Sequence, residues 1–233
     1  MKMKNSSFNE LDRIGEIPFK REFFENKEEW TKARVNGLGG SDAGVVIGVN
    51  PWKDRMTLWL EKTSQVMQAD ISDNSAVRYG IEAEEHIRSL FKLDYPNLKV
   101  FSNSLMMLRS KEYDWLTYSP DGEILDLETN QKGILEIKTT TIQNSNQFKS
   151  WQDMIPQNYY VQVLHGLLVT NYDFVILRAL IKITWDDTKQ EIRDYKIKKD
   201  EVLDDIDFIF EKEKEFIKNI KDKEMPSMIL PEI

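Results

Sequence analysis

The stretch QKGILEIKTTT, Gln131 to Thr141, is where the reading of this chain divides. It opens as apolar as a buried strand, then sets a glutamate and a lysine two positions apart, at 136 and 138. Side chains along a strand alternate between its faces, so Glu136 and Lys138 project together while Leu135 and Ile137 point the other way. Taken alone, the pair reads as a half-buried strand with a solvated ion pair, which is the common fate of surface charges. The surrounding sequence has to decide whether it is more.

Outward from this stretch the period changes twice. Upstream, LKVFSNSLMMLRS (98–110) and DWLTYSPDGEILDL (114–127) predict two strands, which with 132–141 make three, separated by turns. Downstream, PQNYYVQVLHGLLVT predicts a helix over 156–170, DFVILRALIKITW and QEIRDYKIKK two more strands, and 200–221 a charged amphipathic helix. Before the strands, 20–35 reads as a helix with Phe23, Phe24 and Trp30 on or near one face, and 55–64 and 75–95 as further helices. Between them GLGGSDAGVVIGVNPW is a glycine-rich turn into a short helix, with Ser41 and Asp42 as candidate N-caps and Pro51 as its end. Trp52, Trp59 and the Met106–Met107 pair are expected in the core. This order predicts an α+β or mixed α/β domain with a mostly antiparallel sheet.

Bulk properties set the limits. A chain of 233 residues, 40% hydrophobic, is expected to form one domain with a substantial core. No run approaches the ~20 apolar residues of a membrane span, and MKMKNSSFNELDR lacks the apolar stretch of a signal peptide, so a cytoplasmic protein without membrane association is expected. The absence of cysteine excludes disulfides, thiolate metal sites and cysteine nucleophiles. Only two histidines, His86 and His165, leave little for a zinc site, so a metal here would take oxygen ligands, as Mg²⁺ or Mn²⁺ does. A net charge of −8 argues against a protein that coats nucleic acid nonspecifically, but not against a nuclease with an acidic centre.

Upstream of Glu136 lies SPDG, with Asp121 in its third place. Such a tetrapeptide is in itself a turn, with Pro presetting φ and Gly taking the strained position. A hairpin-like strand pair would however bring Asp121 beside Glu136, with Lys138 on the same face. Two carboxylates and a lysine at one point suit metal-dependent phosphodiester hydrolysis. The carboxylates hold a divalent ion, and the lysine orients water and offsets developing charge.

Asp121, Glu136 and Lys138 match the D…E-x-K core of the PD-(D/E)XK nuclease superfamily, and further segments in order narrow the match. WTKARVNGLGGSDAGVVIGVNPW, RYGIEAEEHIRSLF with Gly80 four residues before Glu84, YSPDG, LEIKT, and YYVQVLHGLLVT with Gln162 together resemble the lambda exonuclease / YqaJ-like viral recombinase family, from about Trp30 to about residue 180. The resemblance implies a restriction-endonuclease-like fold, a central mixed sheet flanked by helices, in one domain over 1–233. Its parts would be an N-terminal helical part with a phosphate pocket (1–75), a catalytic core (76–185) and a C-terminal strand and helix (186–233). It implies that Asp121, Glu136 and the backbone carbonyl of Ile137 hold Mg²⁺, with Mn²⁺ as substitute, and that Lys138, Glu84 and Gln162 complete the catalytic site. It implies that Arg34 and Ser41 grip the 5′-terminal phosphate of DNA, as a planar guanidinium and a helix N-terminus can.

The activity implied is 5′→3′ digestion of one strand of duplex DNA from its end, in phage-type recombination with a single-strand annealing protein, by a ring-shaped trimer. Two alternatives stand beside it: an endonuclease on the same core, and a DNA-end-binding adaptor with little catalysis. The family often carries a second glutamine two residues after the first, where this chain has Leu164. Each outer residue also has a plainer reading, Arg34 as a helix-end cation, Ser41 as an N-cap, Gln162 as the partner of a buried backbone group and Glu84 as a solvated acid. His86 is expected as surface or core filler.

Overall fold

The computed structural model describes residues 8–69, 71, 73–152, 154–184 and 189–227. The first half of the chain forms α1 (Asn9–Asp12), β1 (Phe19–Phe23), α2 (Lys27–Val35), α3 (Gly40–Ile47), α4 (Arg55–Lys62) and α5 (Ser75–Asp94). Then come β2 (Leu98–Phe101), β3 (Met106–Ser110), β4 (Thr117–Tyr118), β5 (Gly122–Asp126) and β6 (Lys132–Ile142). The chain continues through α6 (Ser145–Lys149), α7 (Gln157–Thr170), β7 (Phe174–Ile183), β8 (Lys189–Lys198) and α8 (Leu203–Asp222).

The apolar start of β6 places it at the centre of a five-stranded sheet ordered β2-β5-β6-β7-β8, where Lys132 to Ile137 are buried. Such a strand, covered on both faces, needs no strict alternation. β6 and β7 run parallel and the other neighbours antiparallel, so the sheet is mixed. α5 covers one face, where Ile87 and Phe91 meet Ile124, Leu135, Ile137 and Ile176. The larger core on the opposite side joins Ile134, Val175 and Leu177 to α3, α7 and α8 through Val46, Leu164, Leu167 and Phe216. A second, antiparallel sheet, β1-β3-β4, adjoins this side. The expected mixed sheet flanked by helices is the fold observed.

Several expectations need correction. Only the second half of 20–35 is helical. Phe19–Phe23 pairs antiparallel with β3, and α2 begins after Asn26, whose side chain accepts the Glu29 N–H at 3.0 Å. Strand geometry is sealed by Arg21, which donates to both oxygens of the buried Glu123 at 2.8 and 2.7 Å. The span 98–110 is two strands in different sheets, divided by a turn in which the Asn103 side chain accepts the Leu105 N–H at 2.9 Å. Likewise 114–127 is β4 and β5, interrupted at Ser119-Pro120-Asp121. α3 is ended by Gly48, at φ +89°, three residues before Pro51. Its N-cap is Gly39, so Ser41 and Asp42 lie inside the first turn. Trp59, Met106 and Met107 are core as expected, whereas Trp52 is 73% exposed. The N-terminal segment 1–7 and the expected strand end at Trp185 lie outside the described residues. Among the described residues no helix is long and apolar enough to cross a membrane.

Candidate active site

The site begins where a ladder stops. β5 pairs with β6 from Lys132 to Leu135, its last pair being Gly122 with Leu135. One step further, Asp121 stands beside Glu136, and β6 continues with only β7 along its flank. A backbone N–H that loses its strand partner needs another acceptor. The Asp121 carboxylate supplies it, accepting the Ile137 N–H at 2.7 Å.

Glu136 is almost fully buried, and both of its oxygens are engaged. Oε1 accepts from Lys138 Nζ at 2.7 Å and from the Gln162 carboxamide on α7, and Oε2 accepts from the Tyr118 hydroxyl at 2.5 Å. Lys138 also lies over the Tyr159 ring, 5.2 Å from its centroid. Glu84 arrives from α5. A Cβ on Gly80 would stand 3.2 Å from Thr139 Oγ1, so the glycine lets the helix lie against β6, and Glu84 follows one turn later. Its carboxylate pairs with Arg88, which also donates from Nε to the Asp121 carbonyl at 2.9 Å.

The electrostatics follow from this crowding. Burial, then the neighbouring Glu136 and Glu84 charges, push the Asp121 carboxyl well above its usual range. Burial also raises Glu84, opposed by Arg88 and reinforced by Glu136. For Lys138 burial pulls the other way, but the Glu136 and Asp121 carboxylates outweigh it and hold the ammonium above its ordinary value. Among the described residues no three His, Cys, Asp or Glu side chains form a ready-made metal cluster. The donors available are Asp121, Glu136, Glu84 and main-chain oxygen at Ile137. An all-oxygen set in which Asp121 and Glu84 are both pushed above the usual carboxyl range fits a hard divalent cation, whose charge would favour their ionised forms.

On the wall of the same cavity, the Arg34 guanidinium lies 4.5 Å from the centroid of Trp30 and donates to Ser41 Oγ at 3.3 Å. The turn carrying them is braced by Lys62 of α4. Its ammonium donates to the Arg34 and Gly37 carbonyls at 3.2 and 2.5 Å and pairs with Asp42 at 2.9 Å. Asp42 in turn accepts the Gly39 N–H at 3.1 Å. Burial works against its ionisation, yet Lys62 holds it below the usual carboxyl range. Arg34, Ser41, Glu84, Asp121, Glu136, Ile137, Lys138 and Gln162 all line one cavity of about 740 Å³.

All eight residues singled out from sequence are therefore brought together. Gln162 meets a carboxylate, not the buried backbone group of its plainer reading, and at Ile137 the contact recorded is through its N–H. Leu164 is wholly buried in the core, and His86 is exposed. Sequence reasoning missed Tyr118, Arg88 and Lys62. Tyr118 directly precedes the quoted SPDG and Arg88 lies four residues beyond Glu84, but nothing local says what either touches.

The model of the YqaJ-like viral recombinase domain matches residues 29–173. The chain is 34% identical over 197 residues to the uncharacterized protein YqaJ of Bacillus subtilis (strain 168), an alignment covering 82% of this chain and 55% of that protein. It is 29% identical over 173 residues to the uncharacterized protein R354 of Acanthamoeba polyphaga mimivirus, covering 70% and 30%. It thus spans about half the length of the first relative and less than a third of the second. In fold it is similar to an alkaline exonuclease (LHK-Exo) from Laribacter hongkongensis, with TM-score 0.63 and 18% identity over 84% of this chain and 94% of that one. The complex of LHK-Exo with dAMP aligns over the same shares at TM-score 0.61 and 16% identity. With a family match over more than half its length and a curated relative aligned along most of it, the chain belongs to the YqaJ-like viral recombinase family.

Proposed function

We propose that this protein is a metal-dependent deoxyribonuclease, an exonuclease that digests one strand of linear duplex DNA from its end in the 5′→3′ direction. The observation that carries the reading is a single cavity lined both by Asp121, Glu136 and Lys138 and by the Arg34–Ser41 pair. The likeness in fold to LHK-Exo, an alkaline exonuclease, supports it.

Asp121, Glu136 and the Ile137 carbonyl, with Glu84 beside them, would hold Mg²⁺ or Mn²⁺. When bound, the ion supplies Lewis acidity at the scissile phosphate and makes water more acidic. The chain's own residues do the rest. Lys138, kept charged by its carboxylate neighbours, orients the attacking water and offsets charge growing on the phosphate. Gln162 holds the carboxylate that Lys138 pairs with. Arg34, steadied by Trp30 and Ser41, presents a fork to a terminal phosphate and so fixes which phosphodiester faces Lys138. The reading extends, on family resemblance, to recombination with a single-strand annealing protein, a ring-shaped homotrimer and a cytoplasmic setting.

The test is a gel of linear duplex DNA with and without a 5′-phosphate, beside circular DNA, in Mg²⁺ and in EDTA. Degradation of linear duplex, faster with a 5′-phosphate than without, with circles left intact and all cleavage abolished by EDTA, is expected. Cleavage of circles would make the protein an endonuclease. Binding of ends without cleavage in Mg²⁺ or Mn²⁺ would make it an adaptor.

A further inference from the structure

Tyr118 is fully enclosed, and its ring is held from two sides by backbone. A Cβ on Gly40, at the start of α3, would lie 2.9 Å from Tyr118 Cε2, and one on Gly166 of α7 would lie 2.7 Å from Cζ. Only glycine admits the ring at either place. The peptide before it is tied just as firmly. The Thr117 N–H and hydroxyl both donate to the Leu38 carbonyl at 3.0 Å, and the Thr117 carbonyl accepts from His165 Nε2 at 2.7 Å. The other ring nitrogen of His165 meets the buried Glu213 of α8 at 2.7 Å. Elements α3, α7 and α8 therefore converge to aim one phenol, and its hydroxyl ends 2.5 Å from Glu136 Oε2.

A carboxylate offers about four lone-pair positions. On Glu136, Lys138 and Gln162 take the two of Oε1 and Tyr118 takes one of Oε2. One remains, on Oε2, beside the Tyr118 hydroxyl. We propose that Tyr118 is a positioning residue of the site, fixing the Glu136 carboxylate so that the free lone pair of Oε2 is presented to the cation. This rests on the reading of Glu136 as a metal ligand. Partners of metal ligands act in this way elsewhere, and their loss costs about 10–100-fold in metal affinity.

The experiment is calorimetric titration of the full chain with Mn²⁺, without DNA, for wild type, Tyr118→Phe, Gly166→Ala and Glu136→Gln, with a thermal melt of each. Tyr118→Phe keeps the ring between its glycines and loses only the hydroxyl. It is expected to bind Mn²⁺ about 10-fold more weakly. Gly166→Ala keeps the hydroxyl but displaces the ring, and the same loss is expected. A lower melting temperature with wild-type Mn²⁺ affinity would reduce Tyr118 to packing and overturn the proposal, as would tighter binding in either variant. If Tyr118→Phe does not fold, Gly166→Ala alone decides in the same terms. Wild type that binds no Mn²⁺, or Glu136→Gln that binds as wild type does, overturns the metal reading itself and this proposal with it. Binding lost in Glu136→Gln but intact in Tyr118→Phe overturns this proposal only.

Discussion

The Asp121 carboxylate takes the Ile137 N–H at 2.7 Å, in the place that a strand partner would have filled had β5 continued. The hydrogen bond holds the carboxylate where burial, Glu136 and Glu84 all oppose its charge and raise its pKa. In the metal-free protein an ionised Asp121 is therefore expected to destabilise the fold. Asp121→Asn is expected to abolish cleavage and to stabilise the metal-free fold by roughly 0.5–2 kcal/mol, the scale of relieving a strained functional site. The sign with pH follows from a folded pKa above the unfolded one. The wild-type penalty is absent below the unfolded value of about 3.9 and grows as pH rises through the folded value. Melts in EDTA at acid and alkaline pH measure it, and an asparagine variant no more stable than wild type at alkaline pH refutes the account.

Lys138→Ala separates chemistry from metal binding. The ammonium pairs with Glu136 at 2.7 Å and is held charged by the carboxylates around it. Its loss removes a preorganised positive group from the place where charge develops, so the cleavage rate should fall by about 10²-fold or more. Mn²⁺ binding and folding should survive, because the oxygen donors remain. A variant that cuts at the wild-type rate would return Glu136 and Lys138 to an ordinary ion pair.

The elements legible in sequence were those whose period persists. α5, α7 and α8 carry long helical patterns, and β6 and β7 long apolar runs, so their local pattern and tertiary role agree. Phe23 and Trp30 fit a helical face just as well, yet Phe19–Phe23 is a strand. What decides it is β3, some eighty residues away, together with the bond from Arg21 to Glu123, at a separation of 102 residues. The site residues were legible because the strand pair β5–β6 and the strand period bring Asp121, Glu136 and Lys138 together by themselves. Tyr118 was not, since its bond to Glu136 depends on how β4, in the other sheet, sits against β6.

Trp52 contradicts its expected place in the core, and the reason is local. The Asn50 side chain accepts the N–H groups of Trp52 and Lys53 at 2.9 and 3.0 Å, and this turn leaves the indole 73% exposed at the wall of the site cavity. If the cavity takes DNA as proposed, an exposed indole at its wall offers a stacking surface worth about 1–3 kcal/mol per base. Trp52→Ala is expected to weaken DNA binding by about 10-fold and to leave the melting temperature and Mn²⁺ affinity unchanged. Unaltered DNA affinity in a binding titration would assign the indole no part in holding substrate.

Arg34 decides between an exonuclease and its relatives, because an endonuclease has no use for a terminal-phosphate pocket. Its guanidinium is held by the Trp30 ring and by Ser41 Oγ at 3.3 Å, and its backbone by Lys62, which donates to the Arg34 carbonyl at 3.2 Å. If this fork grips the 5′-phosphate, the bound end is fixed, and the next phosphodiester is held over Asp121, Glu136 and Lys138. Binding of the phosphate then lowers the barrier as well as the dissociation constant. Arg34→Ala should act mainly on 5′-phosphorylated ends and shrink the preference for phosphate over hydroxyl, with Mn²⁺ binding intact. Arg34→Lys should rescue only in part, since lysine brings the charge without the planar, bidentate fork. The measurement is the ratio of degradation rates on 5′-phosphate and 5′-hydroxyl duplexes for the three proteins. Equal ratios would make Arg34 a helix-end cation near the last turn of α2, and the end-recognition half of the proposed function would have to be withdrawn.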